Sequence, residues 1–266
     1  MRRIEKGREP EILGQQRRVS REALDAGYRE VNKQPLQAQL CKEQGFLCAF
    51  CMQRISADGN GMRIAHFFPQ SRYIKAQSDP SLSPVPDESS PLDWKNLLGV
   101  CHGNQFGNTR AHATCDNRQG NETLEPALHP ASRFFDESRF KYLSNGTLCV
   151  KDSDLDTGSS AQRPESDAQR LQDQLGRPAR APDARQGNQG AEDRGGLLNL
   201  NHTKLMRNRA SMIAELIARL RSSEDWTKPR LEKELNFWRS GKNGHLEPYC
   251  GVIESYLQRK IAQLPS

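Results

Sequence analysis

The sequence is poor in aromatic and apolar residues. Aromatic residues make up 6% of its 266 positions and hydrophobic residues 35%, whereas charged residues reach 27%. No stretch approaches the ~20 consecutive apolar residues that a membrane-spanning helix needs. The first residues are charged throughout and lack the apolar core of an export signal. These absences predict a cytoplasmic protein with no membrane segment.

A cytoplasmic location argues against disulfide bonds, because thiols stay reduced there. The seven cysteines therefore need another role, and metal binding is the first to consider. A formal net charge of +6 favours a polyanionic partner, though only mildly. Basic residues are concentrated near the N-terminus, where they form either a solvated tail or an arm that contacts phosphates or a partner protein.

Composition divides the chain into four regions. Residues 1–40 are a basic N-terminal arm with some helical character, which Pro35 is expected to break. Residues 41–150 carry most of the cysteines and end in a predicted hairpin at Asn145-Gly146. The fold class that we expect for the whole chain is α+β.

The two remaining regions differ sharply from each other. Residues 151–196 are polar and lack aromatic residues, so we predict a flexible linker or insertion, with a transient helix around Asp167–Leu175. Residues 197–266 show apolar side chains at helical spacing, which predicts a C-terminal helical region. The positions that mark its three helix faces are Leu205, Arg209, Ile213, Leu216, Ile217 and Leu220; Leu231, Leu235 and Trp238; and Val252, Ile253, Tyr256, Leu257 and Ile261.

A metal site is predicted by the C-x2-C pair formed by Cys48 and Cys51. This spacing allows two thiolates from one tight turn to bind the same tetrahedral Zn²⁺. Cys101, after an apolar run, and Cys115, after a Gly/Asn-rich loop, are the expected partners. The four cysteines together would form a structural zinc site.

Other ligand sets remain open, because the interval between the second two cysteines is longer than in a usual zinc knuckle. His102 and His112 are competing ligands, and Cys101 is alternatively a buried apolar thiol. Cys41 lies outside the motif. Cys149 and Cys250 are expected to be packing residues.

Three further residues stand between and after the cysteine pairs. His66 ends an apolar stretch, Met62-Arg-Ile-Ala-His66, and a proline follows shortly after it. Asn96 lies in Leu92-Asp-Trp-Lys-Asn96, and Asp116 directly follows Cys115. A neutral histidine can take a proton from water at cytoplasmic pH, and a carboxylate is a suitable ligand for Mg²⁺. Alternatively, His66 is a core or surface histidine, Asn96 a turn residue and Asp116 a helix N-terminal acid.

The order C-x2-C, His, Asn, Cys and Cys-Asp resembles the HNH (ββα-metal) endonuclease family. The segments AHFFPQSRY, LDWKNLLGVC, CDNRQGNETLEP and LLNLNHTKLMRNR resemble more closely the PtuB-like HNH component of Septu and retron-associated antiphage defence systems. The resemblance covers most of the chain, and residues 151–196 match least well. It implies a zinc-braced ββα-metal core within residues 41–150.

The resemblance also implies roles for individual residues. His66 would be the general base, and Asn96 would hold the loop beside it. Asp116, with Asn117 as the alternative ligand, would bind a catalytic Mg²⁺ or Mn²⁺. Family members usually carry an acidic residue or a second histidine directly before the general base, whereas this chain has Ala65. Ala65 keeps open the alternative of a zinc-braced module that binds nucleic acid or protein without cutting it.

Partners follow from the resemblance as well. DNA is the expected substrate, and RNA is the alternative. The resemblance implies a PtuA-like ATPase of the ABC/SMC-like type as the partner protein, and in related systems a retron reverse transcriptase with its RNA. The N-terminal arm and the helices of residues 197–266 are the surfaces expected to contact the ATPase.

Overall fold

The fold is known from a computed structural model that describes residues 1–20, 27–58, 60–79, 81, 89–157, 166–178, 195–222 and 226–264. It combines helices with two small antiparallel sheets, which confirms the predicted α+β class. The strands are β1 Arg63–His66, β2 Leu97–Val100, β3 Phe140–Tyr142 and β4 Leu148–Val150. The described helices are α1 Glu11–Val19, α2 Lys33–Glu43, α3 Gln70–Ser78, α4 Cys115–Gln119, α5 Asp154–Thr157, α6 Asp167–Leu175, α7 Thr203–Ser222, α8 Lys228–Ser240 and α9 Cys250–Ala262.

The first sheet pairs β1 with β2 and leads into α4. Arg63 is opposite Val100, and His66 is opposite Leu97. All four residues of β2 are buried, so this strand anchors the sheet in the core. The ladder therefore has two distinct ends, one at His66 and one where the chain leaves β2.

The N-terminal region packs against this sheet. Leu36 and Leu40 of α2 are fully buried, and α2 contacts β2. The Gln44 side chain acts as a further strand partner, since its amide donates to the Gly99 carbonyl at 2.7 Å and its oxygen accepts from the Gly99 N–H at 2.8 Å. The expected break at Pro35 is wrong. Pro35 lies in the first turn of α2, where a missing N–H removes no helical hydrogen bond.

The second sheet is the predicted hairpin at Asn145-Gly146. Gly146 has a φ of 81°, a left-handed conformation that glycine adopts readily. The helix expected around Asp167–Leu175 is present as α6 and is packed, because Leu171 and Leu175 are fully buried. Residues 158–165 and 179–194 of the predicted linker lie outside the described residues.

The C-terminal helices follow the predicted faces. The described buried positions on them are Leu205, Arg209, Ile213, Leu216, Leu220, Leu231, Leu235, Trp238, Val252, Ile253 and Leu257. Helix α9 packs against α7, α8 and β3 and so joins the helical region to the second sheet. Within the described ranges, none of the helices has the length and apolar character needed to cross a membrane.

Candidate metal centre and histidine site

The first two cysteines lie in a tight turn that follows α2. The Cys48 N–H donates to the Gln53 carbonyl at 2.8 Å, and the Met52 N–H donates to the Cys48 carbonyl at 3.0 Å. Met52 has a φ of 63°, which lets the chain reverse within four residues. This turn points the Cys48 and Cys51 thiols toward the same space.

The other two cysteines come from the end of β2 and the start of α4. The Thr114 N–H donates to the Gly103 carbonyl at 2.8 Å and so holds the intervening loop closed. Gly103 has a φ of 68°, and a Cβ there would lie 2.2 Å from the Thr114 carbonyl oxygen, so only glycine fits. The Cys115 N–H donates to the Leu198 carbonyl at 2.9 Å. The C-terminal region therefore helps to place the fourth thiol.

The four sulfurs form one cluster. Sγ–Sγ distances are 3.9 Å between Cys48 and Cys115, 3.7 Å between Cys51 and Cys101, and 3.7 Å between Cys101 and Cys115. All four lie within 4.8 Å of one another. Four thiolates at ~2.3 Å from a tetrahedral zinc ion would be separated by about 3.8 Å. The predicted tetrad therefore gathers at a spacing that can hold an ion such as zinc.

The electrostatics of the cluster also fit a cation. The four cysteines are buried, and none forms a disulfide. Burial raises the pKa values of the Cys51 and Cys115 thiols well above the usual value for a cysteine. Metal binding requires deprotonated thiolates, so a divalent cation would supply the charge that stabilises them in this buried place.

The competing ligands lie elsewhere. His102 Nε2 is 2.6 Å from the Asn60 carbonyl, and His112 Nδ1 is 3.3 Å from His202 Nε2. Cys41 Sγ lies 3.4 Å from the sulfur of Met62. Across the described ranges, the tetrad is the one group of three or more His, Cys, Asp or Glu side chains arranged to hold an ion.

His66 occupies the other end of the β1–β2 ladder. Its Nε2 is 3.1 Å from the Pro91 carbonyl, and its ring makes an edge contact with Tyr28, with ring centroids 4.4 Å apart. Burial lowers the pKa of His66 to about 4, and the positive charge of Lys33 adds to this effect. The imidazole is therefore neutral near pH 7.

The hydrogen on that neutral ring can be assigned. A carbonyl oxygen only accepts, so Nε2 carries the hydrogen and donates it to Pro91. His66 Nδ1 then holds the lone pair that can take up a proton.

Asn96 joins the two segments that flank His66. Its Oδ1 accepts from the Phe68 N–H at 2.8 Å, and its Nδ2 donates to the Ser89 carbonyl at 2.9 Å. Its own carbonyl accepts from the Phe67 N–H at 2.9 Å. Asn96 is buried, so these bonds hold the chain after β1 against the segment that carries Pro91.

Asp116 and Asn117 lie in the first turn of α4. Asp116 is half-buried, and burial raises the pKa of its carboxyl, whereas Arg63 acts in the opposite direction. The Asp116 charge also raises the pKa of Tyr28, after the larger effect of burial. Tyr28 therefore lies within electrostatic range of Asp116 while its ring contacts His66. Asn117 is exposed beside Gly103.

Several residues near His66 belong to no motif that the sequence shows. Lys33 Nζ lies 4.2 Å from the centroid of the Tyr28 ring and donates to the Val31 carbonyl at 2.9 Å. Arg17 donates to the Leu92 carbonyl at 2.8 Å and so holds the segment next to Pro91. The N-terminal region, in which no catalytic pattern is visible, thus supplies part of the surroundings of His66.

Ala65 is 2% exposed and pairs with Leu98. Alternation along β1 places its side chain on the same face of the strand as that of Arg63.

Comparison with known proteins adds no family assignment, since no protein-family model and no curated protein matches this chain significantly.

Proposed function

We propose that this chain is a metal-dependent HNH endonuclease that hydrolyses phosphodiester bonds of nucleic acid, with DNA as the expected substrate and RNA as the alternative. The observation that carries the proposal is the His66 imidazole at the end of β1. It is neutral, one of its nitrogens is fixed by the Pro91 carbonyl, and Asn96 holds the surrounding chain. The chain order of β1, β2 and α4 beside a cysteine cluster also supports the endonuclease assignment, because the HNH resemblance implies a ββα core.

The chemistry assigned to His66 follows from its hydrogen bonds. Nδ1 accepts a proton from the attacking water, and the Pro91 carbonyl steadies the ring as it becomes charged. Asn96 acts as a positioning residue, because its bonds go to the backbone on both sides of the imidazole. Tyr28 limits rotation of the ring by its edge contact.

Asp116 is the candidate ligand on α4 for a catalytic divalent metal. A half-buried carboxyl whose pKa is raised by burial gains stability as an anion when a cation lies beside it. Asp116 would hold Mg²⁺ or Mn²⁺, and Asn117 would offer a further oxygen ligand. When bound, this ion would neutralise the charge that develops on the scissile phosphate. The zinc of the cysteine tetrad would keep α4 and the end of β2 in place.

The biological setting is proposed from sequence resemblance. The PtuB-like segments support a role as the effector nuclease of an antiphage defence complex with an ABC/SMC-like, PtuA-like ATPase. A retron reverse transcriptase and its RNA are the further partners that related systems imply.

Ala65 favours a second candidate function. A buried alanine cannot bind a cation, so the metal site near Asp116 has one ligand fewer than the family pattern implies. A zinc-braced module that binds nucleic acid or protein, with weak or no cleavage, would tolerate this loss.

A cleavage assay separates the two candidates. Plasmid DNA and an RNA pool are incubated with the zinc-loaded chain in Mg²⁺ or Mn²⁺, and His66→Ala is compared with His129→Ala. His129 is a matched control, because it is also half-buried and its Nε2 lies 2.8 Å from a backbone carbonyl, that of Lys95. We expect His66→Ala to lower the rate by about 100-fold or more and His129→Ala to change it little. Equal rates for wild type and His66→Ala would remove the nuclease assignment.

A further inference from the structure

A cavity of about 500 Å³ lies beside the cysteine tetrad. It is bounded by the turn after Cys51, by the loop that follows β2 and by the exposed face of α7. Its volume falls within the ~300–1,000 Å³ typical of small-ligand sites. Cys101, which lines it, is four residues along the chain from Leu97, the partner of His66, or roughly 13 Å in an extended strand. The cavity is therefore near the histidine site but separate from it.

Carboxamide side chains dominate the polar lining of this cavity. Gln105 Nε2 donates to Gln53 Oε1 at 2.6 Å, which leaves the Gln105 Oε1 outside that bond. Asn208 Nδ2 donates to the Tyr249 hydroxyl at 3.0 Å, which leaves the Asn208 Oδ1 outside that bond. Asn104 is exposed at the rim. Carboxamides place a donor and an acceptor side by side, the arrangement that pairs with the edges of nucleobases.

The charge around the cavity favours an anionic ligand. None of its described lining residues carries a carboxylate, and Arg54, whose guanidinium donates to the Leu246 carbonyl at 2.6 Å, is among them. Lys204 is exposed and lies one helical turn before Asn208, on the same face of α7. A phosphate attached to a ligand in the cavity would find a cation at this position.

An aromatic stack continues this surface. The rings of Phe106 and His202 are parallel within 2°, with centroids 4.9 Å apart, and Lys204 Nζ lies 5.6 Å from the Phe106 centroid. Aromatic rings interleaved with cations are typical of surfaces that bind single-stranded nucleic acid. Lys204 lies near this stack and one helical turn before Asn208, so the stack is next to the cavity.

We propose that this cavity binds one nucleotide of a nucleic-acid strand. The base lies against the carboxamides of Asn208, Gln105 and Asn104, and the phosphate lies near Lys204. The inference rests on the proposed function in taking a nucleic acid as substrate, and it deepens that function. The cavity would then give the protein a sequence preference at a nucleotide away from the one cleaved at His66.

Binding of oligonucleotides in the absence of cleavage tests the proposal. The zinc-loaded full chain with His66→Ala is titrated into fluorescein-labelled single-stranded heptanucleotides that differ at one position, and anisotropy gives the Kd. We expect Asn208→Ala to weaken binding about tenfold and to reduce the difference between bases. Asn104→Ala, at an exposed position, should act in the same direction without disturbing Tyr249. Asn236→Ala, at an exposed position on α8, is the matched control and should have no effect.

Salt dependence tests the phosphate contact. Lys204→Gln should lower the slope of log Kd against log salt by about 0.7, the value for one contact with a single strand. Lys228→Gln, which removes an exposed lysine of α8, should leave the slope unchanged. Equal behaviour of each variant and its control would overturn the proposal, as would binding of free AMP with no binding of oligonucleotides.

The outcome also separates this inference from the proposed function. Binding that depends on Asn208, together with a wild-type chain that does not cleave nucleic acid, would remove the nuclease assignment and retain the cavity. Cleavage that depends on His66, combined with binding that ignores Asn208, would do the reverse.

Discussion

The two ends of the β1–β2 ladder are built in different ways. At one end, four buried cysteine side chains lie within 4.8 Å of one another. At the other, His66 is held mainly by backbone groups, namely the Pro91 carbonyl and the peptide groups bound by Asn96. The first end depends on the identity of four side chains, and the second on the path of the backbone. Substitutions should therefore affect the two ends differently.

The largest effect is expected at the cysteine cluster. Cys48→Ser should abolish tight zinc binding and lower the free energy of unfolding by more than about 4 kcal/mol, because binding energy at a structural zinc site is folding energy. Metal analysis of the purified chain and urea unfolding check this. Wild type should contain one zinc per chain.

Cys41→Ser is the matched control for this substitution. Cys41 is also fully buried, but its sulfur lies near Met62 and outside the cluster. This variant should keep its zinc and lose only the ~1–2 kcal/mol expected for a polar group placed in a core. Equal zinc content in the two variants would contradict a four-cysteine site.

The next largest effect is expected at Asn96. Asn96→Ala should lower the free energy of unfolding by about 3 kcal/mol, because the partly buried N–H of Phe68 and the buried carbonyl of Ser89 lose their partners. Cleavage should fall at least tenfold as well, since the loops around His66 are released. Urea unfolding and nicking rates measured below the unfolding transition check both parts.

Asn201→Ala is a control that separates a loss of folding stability from a loss of loop position around His66. Asn201 is buried to a similar degree, and it bonds the backbone of Leu148 and Gly176, away from His66. A comparable loss of stability with unchanged cleavage is expected for this control. If both variants lost cleavage equally, Asn96 would have no special position in the site.

The contrast between the cysteine end and the His66 end of the ladder also explains which features the sequence could predict. The C-x2-C spacing of Cys48 and Cys51 and the helical faces of residues 197–266 are local patterns, and the structure confirms the cysteine cluster and those buried faces. The contact of Tyr28 with His66 joins residues 38 positions apart, and no spacing rule connects them. Pro35 shows a further limit, because its effect depends on its place within α2, and the signal that places it in the first turn is a single capping residue, Asn32.

A smaller effect is expected from pH. The pKa of His66 is about 4 in the folded chain and about 6.5 when unfolded, so the unfolded chain binds a proton first as pH falls. Its contribution to stability is therefore complete above about pH 6.5 and is lost as pH falls toward 4. Between pH 7 and pH 5 this loss should be about 1–2 kcal/mol, allowing for partial exposure of the ring.

Urea unfolding of wild type and His66→Gln at both pH values measures this contribution. Glutamine does not titrate, and its amide can still donate to the Pro91 carbonyl. The difference in unfolding free energy between the two proteins should therefore shrink at pH 5. A difference that is the same at both pH values would show that His66 has an ordinary pKa and lies in a more solvated place.

The smallest effect is expected at Ala65, and it concerns metal affinity. Ala65→Asp supplies the acidic residue that the family resemblance implies directly before the general base, so the Mg²⁺ concentration for half-maximal cleavage should fall about tenfold, or about 1.4 kcal/mol. The burial of Ala65 means that the metal-free variant should also be less stable than wild type. Ile64→Asp adds the same charge one position earlier in β1 and should give no gain. If the two substitutions lowered the required Mg²⁺ concentration equally, the added negative charge would act through the overall electrostatic potential of the protein and not as a metal ligand. If Ala65→Asp gave none, position 65 would not be the missing ligand, and the His66 end of the ladder would be limited by something other than its metal.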